Sequence, residues 1–276
     1  MQNTLELKNI SKKYKGSDFA IKDVSFNIPT GYITGFIGPN GAGKTTTIRT
    51  ILGLLATDAG EIVKPEVDEI GVVLDAPMFP GGFTCLDVEK ASKMFYPKWD
   101  GAEYRRLLKM WNIDLNKSID DLSRGMAVKL QVASCLARDT KLLLLDEPTS
   151  GLDPVSRDEI CELLLEVIQD ESRSVMFSTH ITSDLEKVAD FIVFIIGGEI
   201  VFTGTREDLE EKFFMVKGSL EELQPEYKLI GVRKHKFGFE GIVDAEDLDG
   251  LASGLTVEPA TLDEIIIFTE RDNKGE

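Results

Sequence analysis

A chain of 276 residues, 42% hydrophobic and 29% charged, is long enough for one large or two modest globular domains with a sizeable core. Its formal net charge of -17 opposes both phosphate backbones and anionic lipid, so nucleic acid is disfavoured and any membrane association should run through another protein. Cys85, Cys135 and Cys161 stand far apart in no metal-binding spacing, which points to buried thiols in a reducing compartment. The apolar runs are too short for direct membrane insertion.

Thr4–Ile10 alternates apolar and polar residues, as do Val24, Phe26 and Ile28, which predicts two strands of a small antiparallel sheet. Tyr14 falls in the turn between them. By position alone it reads equally as a surface residue or as an aromatic platform for a purine. The apolar run Ile33–Ile37 ends in Gly38-Pro39-Asn40-Gly41-Ala42-Gly43-Lys44-Thr45-Thr46, and Ile48, Ile51, Leu52 and Leu55 follow at helical spacing. Strand, glycine-rich loop and helix with G-x-x-x-x-G-K-T at the junction make a phosphate-binding P-loop. Its backbone N–H groups and helix N-terminus aim partial positive charge at an anion, Lys44 adds a full charge for the β- and γ-phosphates, and Thr45 offers a hydroxyl to Mg²⁺.

Ile70–Leu74 reads as a buried strand ending in Asp75-Ala76-Pro77, and the aromatic, Pro- and Gly-rich segment Met78–Phe83 follows. Thr84-x-x-Asp87 has the form of a helix start. Helical patterning then covers roughly 84–95, 101–111 and 123–138, predicting a helical subdomain at about 84–138 inserted into an α/β core. Leu142–Leu145 predicts a strand buried on both faces, with Asp146 and Glu147 at its C-terminal end, where ligands bind in open α/β sheets. Asp153-Pro154 begins a helix predicted to reach about Asp170. Ser174–Ser178 is a strand ending at Thr179-His180, Ser183–Asp190 a helix, and Phe191–Ile196 with Glu199–Thr203 a hairpin. From Phe213 the composition shifts. Leu229–Val243 reads as one strand-like stretch carrying charges and Thr261–Phe268 as a short amphipathic helix. The fold class is α/β: a P-loop NTPase core of mixed or parallel sheet over 1–212, with an N-terminal antiparallel β subdomain, the helical insertion, and a small α/β extension over 213–276. Chemically, Asp146 is placed to hold Mg²⁺ through water and Glu147 to take a proton from an attacking water. His180, at the end of the next strand, is placed to meet a γ-phosphate. The other histidine, His235, lies in the charged C-terminal stretch.

Together these residues resemble the ATP-binding subunit of ATP-binding cassette (ABC) transporters. The P-loop is Gly38–Thr45, the Walker B strand Leu142–Glu147, the D-loop Ser150-Gly151-Leu152-Asp153 and the switch histidine His180. Tyr14 matches the adenine-stacking aromatic, and Leu122-Ser123-Arg124-Gly125-Met126 stands where the signature Leu-Ser-Gly-Gly-Gln belongs. The resemblance covers roughly residues 4–210. It implies a magnesium-dependent ATPase acting as a homo- or heterodimer, each ATP clamped between Gly38–Thr46 of one subunit and Ser123 and Gly125 of the other. It also implies a separate transmembrane permease subunit that holds this chain, peripheral and cytoplasmic, at the inner face of the membrane. Arg124 and Met126 depart from the signature, and Asp75 replaces the usual Q-loop glutamine; as a charged oxygen ligand it is a further candidate for the metal site. A Leu-Ser-basic-Gly-Met signature and the ending Ala260-Thr261-Leu262-Asp263-Glu264 resemble bacterial exporters. The exposed aromatics and methionines of 78–83 and 94–99 form the expected permease-docking cluster. A soluble Fe–S-assembly-type ATPase and a regulatory half of a heterodimer are the alternatives.

Overall fold

The computed structural model describes residues 2–14, 16, 20–74 and 78–274. Strands β1 (Asn3–Lys13) and β2 (Ala20–Pro29) pair antiparallel, and β4 (Ala59–Val63) adds to the other side of β1. Between them in sequence come β3 (Ile33–Ile37) and α1 (Lys44–Ile51). The alternation noted in the sequence is the inward face of this sheet: Leu5, Leu7, Ile10, Val24, Phe26 and Ile28 are buried against Phe36, Ile48 and Ile51.

The central sheet has the order β5-β6-β7-β3-β8-β9. Its strands are β5 (Ile70–Val73), β6 (Leu142–Asp146), β7 (Ser174–Thr179), β3, β8 (Phe191–Ile196) and β9 (Glu199–Thr205). All pairings are parallel except β8 with β9. Every residue of β3, β6 and β7 is buried, as a sheet covered on both faces requires.

The insertion between β5 and β6 holds α2 (Cys85–Phe95), α3 (Gly101–Met110) and α4 (Arg124–Leu136). Each starts on a side-chain cap. Thr84 and Asp87 form a capping box, Asp100 accepts from Ala102 and Glu103, and Ser123 accepts from Met126. The cluster of aromatics and methionines expected to be exposed here divides in two. Met94 and Phe95 are 82% and 75% exposed, whereas Trp99 packs on Tyr104 and Tyr96 lies under Arg138. Both inward rings carry the subdomain's own packing.

Helix α5 (Pro154–Val167) starts at Asp153 as expected but ends short of Asp170, and α6 (Thr182–Val188) follows β7. Beyond α7 (Arg206–Lys212) the chain forms β10 (Phe213–Gly218), β11 (Ile230–His235), β12 (Gly238–Asp244), β13 (Thr256–Pro259) and α8 (Leu262–Lys274). The four strands make an antiparallel sheet in the order β11-β12-β10-β13. The stretch expected as one strand is therefore two, paired as a hairpin that turns at Lys236-Phe237 between His235 and Gly238. Arg233, Lys234 and His235 end β11 with exposed side chains, Arg233 pairing with Glu240 and lying over the Phe268 ring, and the chain reverses directly after them. Met215, Ile242, Leu262, Ile265 and Phe268 belong to the same apolar cluster as Leu185 and Val188 of α6 and Phe194 of β8. The C-terminal unit thus shares a core with the nucleotide-type sheet rather than hanging from it. Among the described residues, no helix is long and apolar enough to cross a membrane.

Candidate functional site

Parallel pairing brings the C-terminal ends of β3, β7 and β6 to one edge. Ile37 stands level with Thr179 and Asp146 with Ser178, so Gly38, His180 and Glu147 are each among the first residues beyond the ladder. The backbones of β3 and β6 lie two strands, roughly 10 Å, apart, a gap that two long side chains can close.

The loop after β3 is shaped by close approach. A Cβ on Gly38 would lie 2.2 Å from the Ile195 carbonyl oxygen, and Gly43, at the N-cap of α1, has φ 116°. Lys44 is turned into the loop: its Nζ donates to the carbonyls of Gly38 (2.6 Å) and Pro39 (3.2 Å) and lies 3.3 Å from Glu147 Oε1. Glu147 Oε2 in turn lies 2.8 Å from His180 Nδ1. Lys44, Glu147 and His180 therefore form one chain of contacts across the edge, with exposure rising from 6% through 17% to 42%. Glu147 holds φ 52°, a left-handed conformation costing about 1–3 kcal/mol for a residue with a Cβ. Its N–H, donating to the Ser178 carbonyl at 3.0 Å, and its two side-chain partners hold it there.

Thr45 Oγ1 donates to Asp146 Oδ2 at 2.9 Å, and Ser178 Oγ donates to Asp146 Oδ1 at 2.7 Å. Tyr14 shares a hydrogen bond from its hydroxyl to Thr46 Oγ1 at 3.2 Å, which brings the tyrosine to the first turn of α1. A cleft of about 400 Å³ is lined by Asn40, Gly41, Gly43, Lys44, Thr45, Thr46 and Glu147. A second, of about 490 Å³, runs from Glu147 and Pro148 to Leu122, Arg124 and Gln131 of the helical insertion. Glu147 belongs to both.

Ser123 and Gly125 lie at the start of α4, on the insertion rather than among the P-loop side chains. The cap uses a lone pair of Ser123 Oγ, accepted from Met126 N–H at 3.3 Å. Arg124 packs over Gly151, where a Cβ would meet Nη1 at 3.0 Å. Met126 packs into the core and takes a contact from Lys117. Asp75, the further candidate for the metal site, lies outside the described residues.

Two participants escaped sequence reasoning. Ser178 orients Asp146, and the only sequence signal for it is its place next to Thr179-His180. Gln131 accepts from Leu74 N–H at 3.3 Å, tying α4 to the end of β5; a helix-interior Gln gives no such signal.

A family model described as ABC transporter matches residues 21–150. The lantibiotic transport ATP-binding protein SrtF of Streptococcus pyogenes is 34% identical over 222 residues, covering 76% of this chain and 95% of the relative. The phosphonates import ATP-binding protein PhnC of Wolinella succinogenes is 29% identical over 235 residues, covering 75% and 86%. In structure, cbiO1 of Clostridium perfringens, part of the ABC transporter complex cbiONQ, superposes with a TM-score of 0.66 at 25% identity, covering 76% of this chain and 91% of that one. The P-loop at the edge of a mixed α/β sheet and these likenesses agree: the chain belongs to the ATP-binding subunits of ABC transporters, the ATP-hydrolysing members of that family.

Proposed function

We propose that two copies of this chain close on two ATP molecules and thereby drive a separate transmembrane permease, in the direction of export. One chain carries both halves of the clamp, so two copies suffice. In each site, Gly38–Thr46 of one copy cradles the triphosphate and Ser123 and Gly125 of the other cap it. Ser123 spends a lone pair on its helix, and its O–H remains a donor for a γ-phosphate oxygen. Tyr14, tied to Thr46, stacks on the adenine. The arriving phosphates draw Lys44 from Glu147, whose freed carboxylate orients the attacking water and takes its proton. His180, released from the same carboxylate, contacts the γ-phosphate.

The oxygens at Thr45 and Asp146 fit Mg²⁺. They are hard oxygen donors brought side by side by their hydrogen bond, so Thr45 would hold the metal through its hydroxyl and Asp146 through a water. Among the described residues no group of three or more His, Cys, Asp or Glu side chains could hold a metal, so phosphate and water would supply the remaining ligands of Mg²⁺. When bound, it neutralises the charge that develops on the phosphates. Asp75, which departs from the family's glutamine, is retained as an outer-sphere candidate at the metal site because a carboxylate is a hard, charged oxygen donor. Exposed Met78, Met94 and Phe95 are offered as the docking surface for the permease. Export follows the Leu-Ser-basic-Gly-Met resemblance; the relatives' names include both lantibiotic transport and phosphonate import.

The observation that carries this reading is the Lys44–Glu147–His180 chain, beside the Thr45–Asp146 bond. Sedimentation velocity on Glu147→Gln tests it: a dimer with Mg·ATP and a monomer without is expected. A monomer at saturating ATP would overturn it.

A further inference from the structure

We propose that Asp263 is a positioning residue for His180, through which the C-terminal unit sets the rate of hydrolysis; the inference rests on the assignment of His180 to the ATP site above. His180 directly follows β7, and only Ile181 separates it from Thr182, the first residue of α6. Ile181, at the N-cap of α6, supplies no side-chain oxygen; its N–H donates to Thr179 Oγ1 at 3.0 Å, and contacts from two other elements add to that local bond. Thr182 Oγ1 donates to Asp263 Oδ1 at 2.6 Å, and Asp263 stands in the first turn of α8. Arg157 of α5 donates to Asp184 Oδ1 from Nε at 3.2 Å and from Nη2 at 2.6 Å. The turn that follows His180 is therefore clamped between α5 and α8.

The anchor at the α8 end is rigid. Leu262, Ile265 and Phe268 are buried in the shared core, and Asp272 accepts from Gly231 N–H of β11 at 3.3 Å. The imidazole of His180, by contrast, is 42% exposed, so packing does little to fix it and the backbone leading into α6 sets its place. Catalytic groups shifted by about 1 Å lose on the order of 100-fold in rate, and a loosened clamp costs part of that.

Steady-state ATPase assays on the full chain test this. Asp263→Ala and Thr182→Val should each lower kcat about 3- to 10-fold with KM for ATP unchanged, and the double variant should fall no further than either single. Asp263→Asn and Thr182→Ser keep the acceptor and the donor and should remain near wild type. Wild-type kcat in both disruptive variants, or losses that multiply in the double variant, would overturn the inference. A wild-type chain that binds ATP but does not hydrolyse it would bring down the site assignment first, and this inference with it.

Discussion

Replacing Glu147 by Gln separates two effects of its carboxylate. The oxygen 3.3 Å from Lys44 Nζ attracts it by about 5 kcal/mol at an effective dielectric of 20. Desolvation of two largely buried groups cancels much of that, leaving about 1.5–3 kcal/mol, the usual worth of a charge-assisted contact. On the proposed mechanism a triphosphate that recruits Lys44 must displace this pair, so the carboxylate would compete with the nucleotide. Gln keeps the shape of the side chain and a hydrogen-bonding oxygen near His180 but loses the charge. The variant should bind a non-hydrolysable ATP analogue on the order of 10-fold more tightly, and kcat should fall about 10²–10⁴-fold with the general base gone. Titration calorimetry and steady-state turnover measure the two effects. Wild-type turnover would refute the general-base role, and unchanged or weaker affinity would refute the competition.

Gly38→Ala places a Cβ against the Ile195 carbonyl, 2.2 Å away; stability in urea should fall by about 1–3 kcal/mol and nucleotide binding should be lost. Thr45→Ala or Asp146→Asn should raise the Mg²⁺ concentration for half-maximal ATPase roughly 10-fold or more, since losing even an outer-shell partner of a metal typically costs that much, and EDTA should stop wild-type turnover. Asp87 accepts from the Thr84 hydroxyl, Lys90 and the Thr84 N–H, which holds its carboxyl down to about 2 from an ordinary 3.8. A depressed pKa stabilises the fold above the unfolded value, and the contribution is lost as pH falls through the folded one. Wild type should therefore melt above Asp87→Ala at pH 5 and higher, the gap narrowing from pH 4 towards pH 2.

The core motifs were legible because their chemistry is local. A P-loop needs its glycines, Lys44 and Thr45 within a few residues, and Leu142–Asp146 advertises a doubly buried strand by having no polar alternation. What stayed hidden depends on partners distant in sequence. Nothing near Lys44 says that it rests on the Gly38 and Pro39 carbonyls and on Glu147, because that contact is made by strand order. The hairpin at Lys236-Phe237 was merged into one strand because alternation on both sides is compatible with either. At Phe213 the chain enters the second sheet, yet composition could not reveal that Met215, Leu262 and Ile265 join the same core as Leu185 and Val188 of α6. Thr182 and Asp263 stand far apart in the chain, and the exporter-like ending that contains Asp263 says nothing of a bond to Thr182. Arg124 reads as a lost glycine, while in the structure its guanidinium packs over Gly151.

The central claim, that each ATP is cleaved between two copies of the chain, is tested most directly by mixing two inactive variants. Lys44→Ala removes the phosphate contact, and Ser123→Arg blocks the cap offered to the other copy. Each alone should be inactive as a homodimer, but a mixed dimer contains one site with an intact Lys44 facing an intact Ser123. The mixture should recover ATPase activity, rising with protein concentration. A mixture as inactive as its components, measured where wild-type chain is active, would contradict the account.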